Sequence, residues 1–520
     1  MSWKPEVDEI ERRRALAHQQ GGGPAVARQH DKGRLTVRER IDALVDEGSF
    51  REQGRVAGHA ETDAEGRTTA FTPANVVMGS ARIDGRPAVV CGDDFTLRGG
   101  AYSAVGLKKG LAADELAIRR RIPLVRLLEG GGASVAGTSG EKGRSGYDMT
   151  APPSLNLLAL DALSTVPVVC AALGPVAGFP AARLVASHLA LMTRETAQVL
   201  TGGPALVERA LGETKTKEEL GGAQVHIRSG VVDRVAEDEA DVWRQVRAFL
   251  GYLPPNVFEA PPVAACEDPA SRSEEELLGI VPRNRRRAYE MRRVLGHVLD
   301  AGSLFELGAG HGRSQITALG RLAGHPVGVL ANDCRREGGA MTAAGARKVR
   351  RFAELCDAFH LPVVSFVDEP GFMIGAEAER VGTIRHGMEA MFAVLQTEVP
   401  WFAVIVRKCF GVAAGIHLGP GPTTVAWPSA ESGALPVESG VALAYRREIE
   451  AAEDPDARRA ELEEEIARAQ SAFPRAEDFG VHDLVDPRET RPRLCDWVAE
   501  VQPLLATLAR GAPRRYTLRP

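Results

Sequence analysis

Aromatic residues make up only 5% of the 520 positions, and no apolar run is long and clean enough to cross a bilayer. The most apolar stretch, 157–192, is broken by Asp161, Pro167, Pro175, Pro180, Arg183 and His188. The opening MSWKPEVDEIERRR lacks the apolar core of a signal peptide. These absences predict a soluble, cytoplasmic protein with no membrane association. The seven cysteines form no CxxC pair and no grouping with histidine, so neither a disulfide framework nor a zinc ribbon is expected, and no metal site. A formal charge of −5 excludes a general basic surface for nucleic acid, and any anionic ligand must meet a local cluster of cations.

Glycine, by contrast, is plentiful, with 55 residues, and it concentrates after apolar runs. LLEGGGASVAG, 127–137, follows a strand-like segment and places bare backbone behind a carboxylate. Such a cluster can cradle a phosphate, permit close packing, or aim peptide N–H groups at a developing negative charge.

Near the middle, the Pro-, Glu- and Ser-rich stretch 253–284 lacks a sustained apolar period. It predicts an N-terminal domain over 1–255, a linker over 256–283 and a C-terminal domain over 284–520. The halves repeat one another. Gly85, Pro87, Asp94, Gly99, Gly100, Ala101, Pro123, Glu129 and Gly132 recur 239 residues later as Gly324, Pro326, Asp333, Gly338, Gly339, Ala340, Pro362, Asp368 and Gly371, in one register. A further apolar segment, VPVVCAAL, returns as VPWFAVIV 233 residues on. The order strand, Gly-Gly turn, basic and apolar helix, strand, glycine loop, strand, small-residue loop is therefore expected twice, which is an α/β fold built by internal duplication.

FELGAGHGR, 305–313, imitates the first glycine motif of methyltransferases that use S-adenosylmethionine. Such a motif leads from a strand into a helix. Here it leads into SQITALGRLAGHPVGVLAND, which the duplication assigns to two strands and a turn, so the cofactor reading is set aside.

RQHDKGRLTVRERIDALVDEGSF, DDFTLRGG, the EGGGA loop, GPVAG, VLTGGPALVERALGE and KEELGGAQVH resemble the N-terminal half of the carboxyltransferase β subunit of biotin-dependent acyl-CoA carboxylases. KVRRFAELCDAFHLPVVSFVDEPGFMIGAEAERVGTIRHGMEAM, the segment through VRKCFG, and AWPSAESGALPVESG resemble its C-terminal half. The resemblance implies two tandem crotonase-like (ClpP-related) β/α domains. It also implies transfer of a carboxyl group from carboxybiotin to the α-carbon of an acyl-CoA through an enolate.

Two oxyanion holes made of backbone N–H groups follow from that resemblance, each donor being worth about 2.7–4 kcal/mol of barrier. The first, for the thioester, would use Gly131, Gly132 and Ala133 with Gly178 and Phe179. The second, for biotin, would use Gly371 and Phe372 with Val412 and Ala413. Arg28, Lys32, Arg34 and Lys108 are the candidate cations for the CoA phosphates. The proton would go to the biotin ureido nitrogen, so His386 is read as a packed or solvated helix residue rather than a base. Departures from the family pattern fall at Phe179, Pro180 and Val412, where relatives commonly carry small residues, and at Ala414 and Gly415, whose small size implies room for a longer or branched acyl chain.

The chain has neither a Met-Lys-Met biotinylation site nor a biotin carboxylase unit. Biotin on a separate α subunit or carrier, and a homo-hexamer in which one subunit's N-domain meets another's C-domain, are thus implied. Two alternatives stay open at this point: a biotin-independent acyl-CoA decarboxylase or related acyl-CoA enzyme of the same fold, and a non-catalytic assembly paralogue.

Overall fold

Each strand that the duplication pairs also pairs in length. Val76–Ile83 and Gln315–Leu322, Arg86–Asp93 and His325–Asn332, and Leu124–Gly130 and Val363–Glu369 each begin 239 residues apart, and Val168–Ala177 and Trp401–Phe410 begin 233 apart. A computed structural model describes residues 2–132 and 154–511. It divides into two compact units, the first ending at Val257 and the second beginning at Phe258. The stretch read as a linker packs on the second unit. Arg272 donates to the carbonyls of His297 and Leu299, Ala264 N–H donates to Gly324 O, and Leu277 enters the core.

Each unit is built on an eight-stranded sheet. In the first, the order is Arg51–Gln53, Val76–Ile83, Arg86–Asp93, Leu124–Gly130, Val168–Ala177, Leu189–Thr193 and Arg234–Ala236, with Gln198–Leu200 paired beside Val168–Ala177. The second repeats this with Phe305–Leu307, Gln315–Leu322, His325–Asn332, Val363–Glu369, Trp401–Phe410, Thr423–Ala426 and Asp483–Leu484, and Glu431–Gly433 in the side position. The first two pairings in each sheet are antiparallel and the rest parallel. Strands such as VVCAAL and WFAVIV are buried along their length, as parallel strands covered on both faces must be.

Local chemistry repeats as well. Ser103 and Thr342 cap the helices Ala104–Arg120 and Ala343–Ala358 by accepting the N–H of Gly106 at 2.9 Å and of Gly345 at 3.0 Å. The turns before them hold Gly99 and Gly100 at φ 61° and 70°, and Gly338 and Gly339 at 65° and 89°. At Gly100 glycine is obligatory, because a Cβ would come within 2.2 Å of Glu129 O. The GAGHGR segment joins the antiparallel strands Phe305–Leu307 and Gln315–Leu322, not a strand to a helix, which removes the methyltransferase motif. Among the described residues no helix is long and apolar enough to cross a membrane.

Candidate functional site

In both sheets the second and third parallel strands end together, and the pairing slips by a bulge at the same place. The slip lies between Leu128 and Gly130 in one unit and between Val367 and Glu369 in the other. It turns the following glycine segment toward the start of the helix after the third strand. In the first unit Gly132 (φ 80°) lies against Gly178 (φ 64°), with a Cβ on Gly132 falling 2.8 Å from Ala177 O and 3.7 Å from Gly178 Cα. No side chain fits there. In the second unit Gly371 is more open, a Cβ there meeting nothing closer than Phe410 O at 4.0 Å, and Gly411 repeats the φ of Gly178 at 63°.

Hydrogen bonding separates the nominated donors. Gly131 N–H goes to Gly99 O at 3.2 Å and Gly178 N–H to Leu200 O at 3.2 Å, so both are spent on holding the loops. Gly132 N–H makes no hydrogen bond among the described residues, and Phe179 opens the helix Phe179–Val185, whose next residue, Pro180, has no N–H. Ala133 lies outside the described residues.

In the second unit Gly371 N–H donates to Glu369 Oε1 at 3.0 Å. Phe372 is bridged to Met341 through Gly371 O and Met373 N–H, which leaves its own N–H on the opposite side of the segment. Val412 and Ala413 are the second and third residues of the helix Gly411–Leu418, where N–H groups have no acceptor inside the helix. Val412 is 60% exposed, so its side chain adds no bulk to the core.

Beneath each glycine segment sits a buried carboxylate. Glu129 accepts from Gln29 Nε2 at 2.7 Å and from the guanidinium groups of Arg34 and Arg40, and Arg40 reaches on to Glu239 at 2.7 Å. Its counterpart Asp368 is paired at 3.0 Å with Arg407, which comes from the adjacent strand Trp401–Phe410. The first unit has Gly174 in the place of Arg407, and a Cβ there would fall 2.4 Å from Glu129 Oε1 and 2.7 Å from Arg34 Nη1. Arg34 is therefore corrected: it is 6% exposed and serves Glu129, not a CoA phosphate. Arg28, Lys32 and Lys108 are exposed, as a phosphate ligand requires.

A polar cluster in the second unit was not legible from motifs. Glu369 Oε1 also accepts Met341 N–H at 3.2 Å, while Oε2 accepts Asn332 Nδ2 at 2.9 Å and Gln315 Nε2 at 3.3 Å. His417 Nε2 lies 2.8 Å from Gln315 Oε1 and 3.5 Å from Glu369 Oε2, and His417 Nδ1 lies 3.4 Å from Ser365 Oγ. All of these side chains are buried. The signal was the second acid of VDEPGF, which aligns with Gly130 in the first half. In the place of Asn332 the first unit has Asp93, whose carboxyl burial pushes up to about 7. Asp93 Oδ2 accepts Glu129 N–H at 3.3 Å and Asn332 Oδ1 accepts Asp368 N–H at 2.9 Å, so one bond is made twice by different groups.

Two further expectations change. The room inferred at Ala414 and Gly415 is filled: Ala414 is in the core with Val367 and Ala403, and a Cβ on Gly415 would stand 3.0 Å from Met391 Cε. His386 is half-buried on its helix, with Nδ1 3.2 Å from Glu389 and Nε2 3.3 Å from Arg347. The Phe372 ring lies on that helix at Gly387, where a Cβ would approach it to 2.2 Å.

Known proteins share this arrangement. The family model described as "Carboxyl transferase domain" matches residues 28–501. The carboxyltransferase subunit of propionyl-CoA carboxylase from Haloferax mediterranei is 36% identical over 501 residues, covering 95% of this chain and 95% of that protein. The mitochondrial propionyl-CoA carboxylase beta chain of Homo sapiens is 33% identical, covering 94% of this chain and 89% of its own. The crystal structure of transcarboxylase 12S, a hexamer with methylmalonyl-coenzyme A and methylmalonic acid bound, superposes with a TM-score of 0.86 at 30% identity, over 99% of this chain and 98% of that one.

Proposed function

The chain belongs to the carboxyl transferase domain family and is a carboxyltransferase of the biotin-dependent acyl-CoA carboxylases, and we propose that its substrate is a short acyl-CoA of the propionyl class. The observation that carries this reading is the twinned end of the two sheets, each bringing a bare glycine segment to the start of a helix. The relatives named above supply the acyl class, and the filled space at Gly415 agrees with a short chain.

In this proposal Gly132 and Phe179 turn their N–H groups to the thioester oxygen, where charge gathers as the α-proton leaves. Rigid backbone donors suit that task because they need no reorganisation during the reaction. Gly131 and Gly178, tied to Gly99 and Leu200, keep the two segments in place. In the second unit Phe372, Val412 and Ala413 face the ureido oxygen of biotin. Biotin, when bound, supplies the carboxyl group and a ureido nitrogen to take the α-proton. The fit rests on the open surroundings of Gly371 and on Phe372 N–H facing away from Met341. Arg28, Lys32 and Lys108 meet the CoA phosphates. A biotinylated carrier protein brings the cofactor, and the functional form is a homo-hexamer like that of transcarboxylase 12S.

The test uses methylmalonyl-CoA, propionyl-CoA and longer acyl-CoA substrates with free biotin and with a biotinylated carrier. Biotin-dependent exchange favouring the propionyl pair is expected. Decarboxylation independent of biotin, or inactivity with every thioester, would replace this reading by one of the two alternatives.

A further inference from the structure

Ahead of the helix Met291–Val298 the chain carries Arg283, Arg285, Arg286 and Arg287, a dense run of cations in a protein of net charge −5. Arg283, Arg286 and Arg287 are exposed, and no carboxylate lies within ion-pairing distance of them among the described residues. Arg285 has only long contacts, 3.7 Å to Glu431 and 3.9 Å to Glu438, and its buried Nη1 has no hydrogen-bond partner. The backbone beneath them is fixed, because Arg287 O accepts from Arg407 at 2.8 Å and the Tyr289 ring lies 4.7 Å from the Arg407 guanidinium.

Position gives the run its meaning. Arg285, Arg286 and Arg287 line a pocket of about 260 Å³ together with Lys408, Pro370 and Phe410. Pro370 and Phe410 directly precede Gly371 and Gly411, so this basic rim borders the segments assigned to biotin. Glu431 and Glu438 also line this pocket and offset only part of the charge of Arg285, Arg286, Arg287 and Lys408, while Asp368 is already committed to Arg407. Adjacent like charges repel one another, and the arrangement gains when an anionic partner arrives.

We propose that this rim docks an acidic surface of the protein that carries biotin, orienting it so that the biotin ring reaches Gly371 and Phe372. The inference rests on the reading of the second unit as the biotin side. Because biotin arrives attached to a protein, its docking surface must adjoin the segments that receive the ring. Arg286 is exposed at the rim of this pocket, and the exposed Arg283, outside its lining, extends the positive surface beyond it. A protein surface is favoured over a small anion for that reason.

Two synthetic peptides with the same biotinyl-lysine, one flanked by glutamates and one by lysines, provide the test beside free biotin. Carboxyl transfer from methylmalonyl-CoA gives KM, and fluorescence anisotropy gives Kd without turnover. At low salt the glutamate peptide is expected to have KM and Kd about tenfold lower than the lysine peptide, with the gap closing as salt rises. The double variant R286E/R287E should invert the order and R286K/R287K should keep it, while both melt with the parent protein and use free biotin equally well. Equal constants for the two peptides, a gap that survives R286E/R287E, or equal displacement of both peptides by inorganic phosphate overturns the docking surface. If the Kd difference holds while no biotin is carboxylated, the docking stands and the carboxyl-transfer reading fails.

Discussion

The carboxylate of Glu369 takes the N–H of Gly371 at 3.0 Å, so the glycine that most resembles an oxyanion donor is bound from below. Gly371 is thereby a brace for the segment, and the donor in the proposed biotin hole is Phe372, one residue on. Replacing Glu369 with alanine strands Gly371 N–H, at about 1–3 kcal/mol, while Met341 N–H keeps Gly371 O and the amide of Asn332 keeps Gly339 O. Denaturant titration should show a loss of about that size, and carboxylation of biotin should fall more than binding of acyl-CoA. Unchanged stability would mean that the cluster does not brace the loop.

Gly132 and Gly371 should differ in tolerance. Both have positive φ, 80° at Gly132 and 121° at Gly371, but alanine at Gly132 also meets Ala177 O at 2.8 Å, whereas at Gly371 nothing lies nearer than 4.0 Å. Because that clash would push the Gly132 N–H away from the proposed thioester hole, a fall in kcat of up to about 10²–10³ is expected for Gly132→Ala. Gly371→Ala should cost less, and steady-state kinetics with methylmalonyl-CoA compares them.

Arg34 and Arg28 separate stability from substrate binding. Arg34→Ala leaves Glu129 with Arg40 and Gln29, so the loss should stay below the roughly 3–5 kcal/mol of a buried pair broken outright, and it should lower the melting temperature without changing KM of the folded fraction. Arg28→Ala and Lys32→Ala should leave melting alone and raise KM for acyl-CoA. Dephospho-CoA thioesters should be less sensitive to these two substitutions if a CoA phosphate is the ligand.

Asp93 sets a pH dependence. Its carboxyl is held near 7 by burial, against an ordinary value of 3.8, so the folded protein binds the extra proton between those limits. Stability from this group is greatest below about pH 4, declines as pH rises towards 7, and is level above it. Asp93→Asn copies Asn332 and should flatten that slope in melts taken from pH 5 to 8.

Gly415 and Met391 should be coupled. Valine at Gly415 presses on Met391 Cε, already 3.0 Å from a single added Cβ, and is expected to destabilise by about 1–3 kcal/mol. Met391→Ala in the same chain should recover part of this. Additive losses in the double-mutant cycle would show that the two side chains do not compete for one space.

Much of the architecture was legible because glycine and proline report backbone geometry directly. Gly99, Gly100, Gly178 and Gly411 take positive φ where the repeat placed them, and strands such as VPVVCAAL announced themselves by unbroken apolar character. Ion pairing was hidden, because Arg34 reads as a surface cation until Glu129, ninety-five positions away, is brought to it. The Glu369 cluster was hidden likewise, since Gln315, Asn332 and His417 meet only after three strands and a helix assemble. Space was misread at Gly415 because a small residue in the sequence says nothing of the Met391 side chain that fills it.

The two buried carboxylates also differ in when their counter-charge is made. Arg34 and Arg40 leave the ribosome 95 and 89 residues before Glu129, so that acid emerges with its cations already waiting. Asp368 emerges 39 residues before Arg407 and must stay hydrated until the next strand is translated. Burial of Glu129 therefore needs no cation made after its own strand, whereas burial of Asp368 has to await the third parallel strand, which carries Arg407.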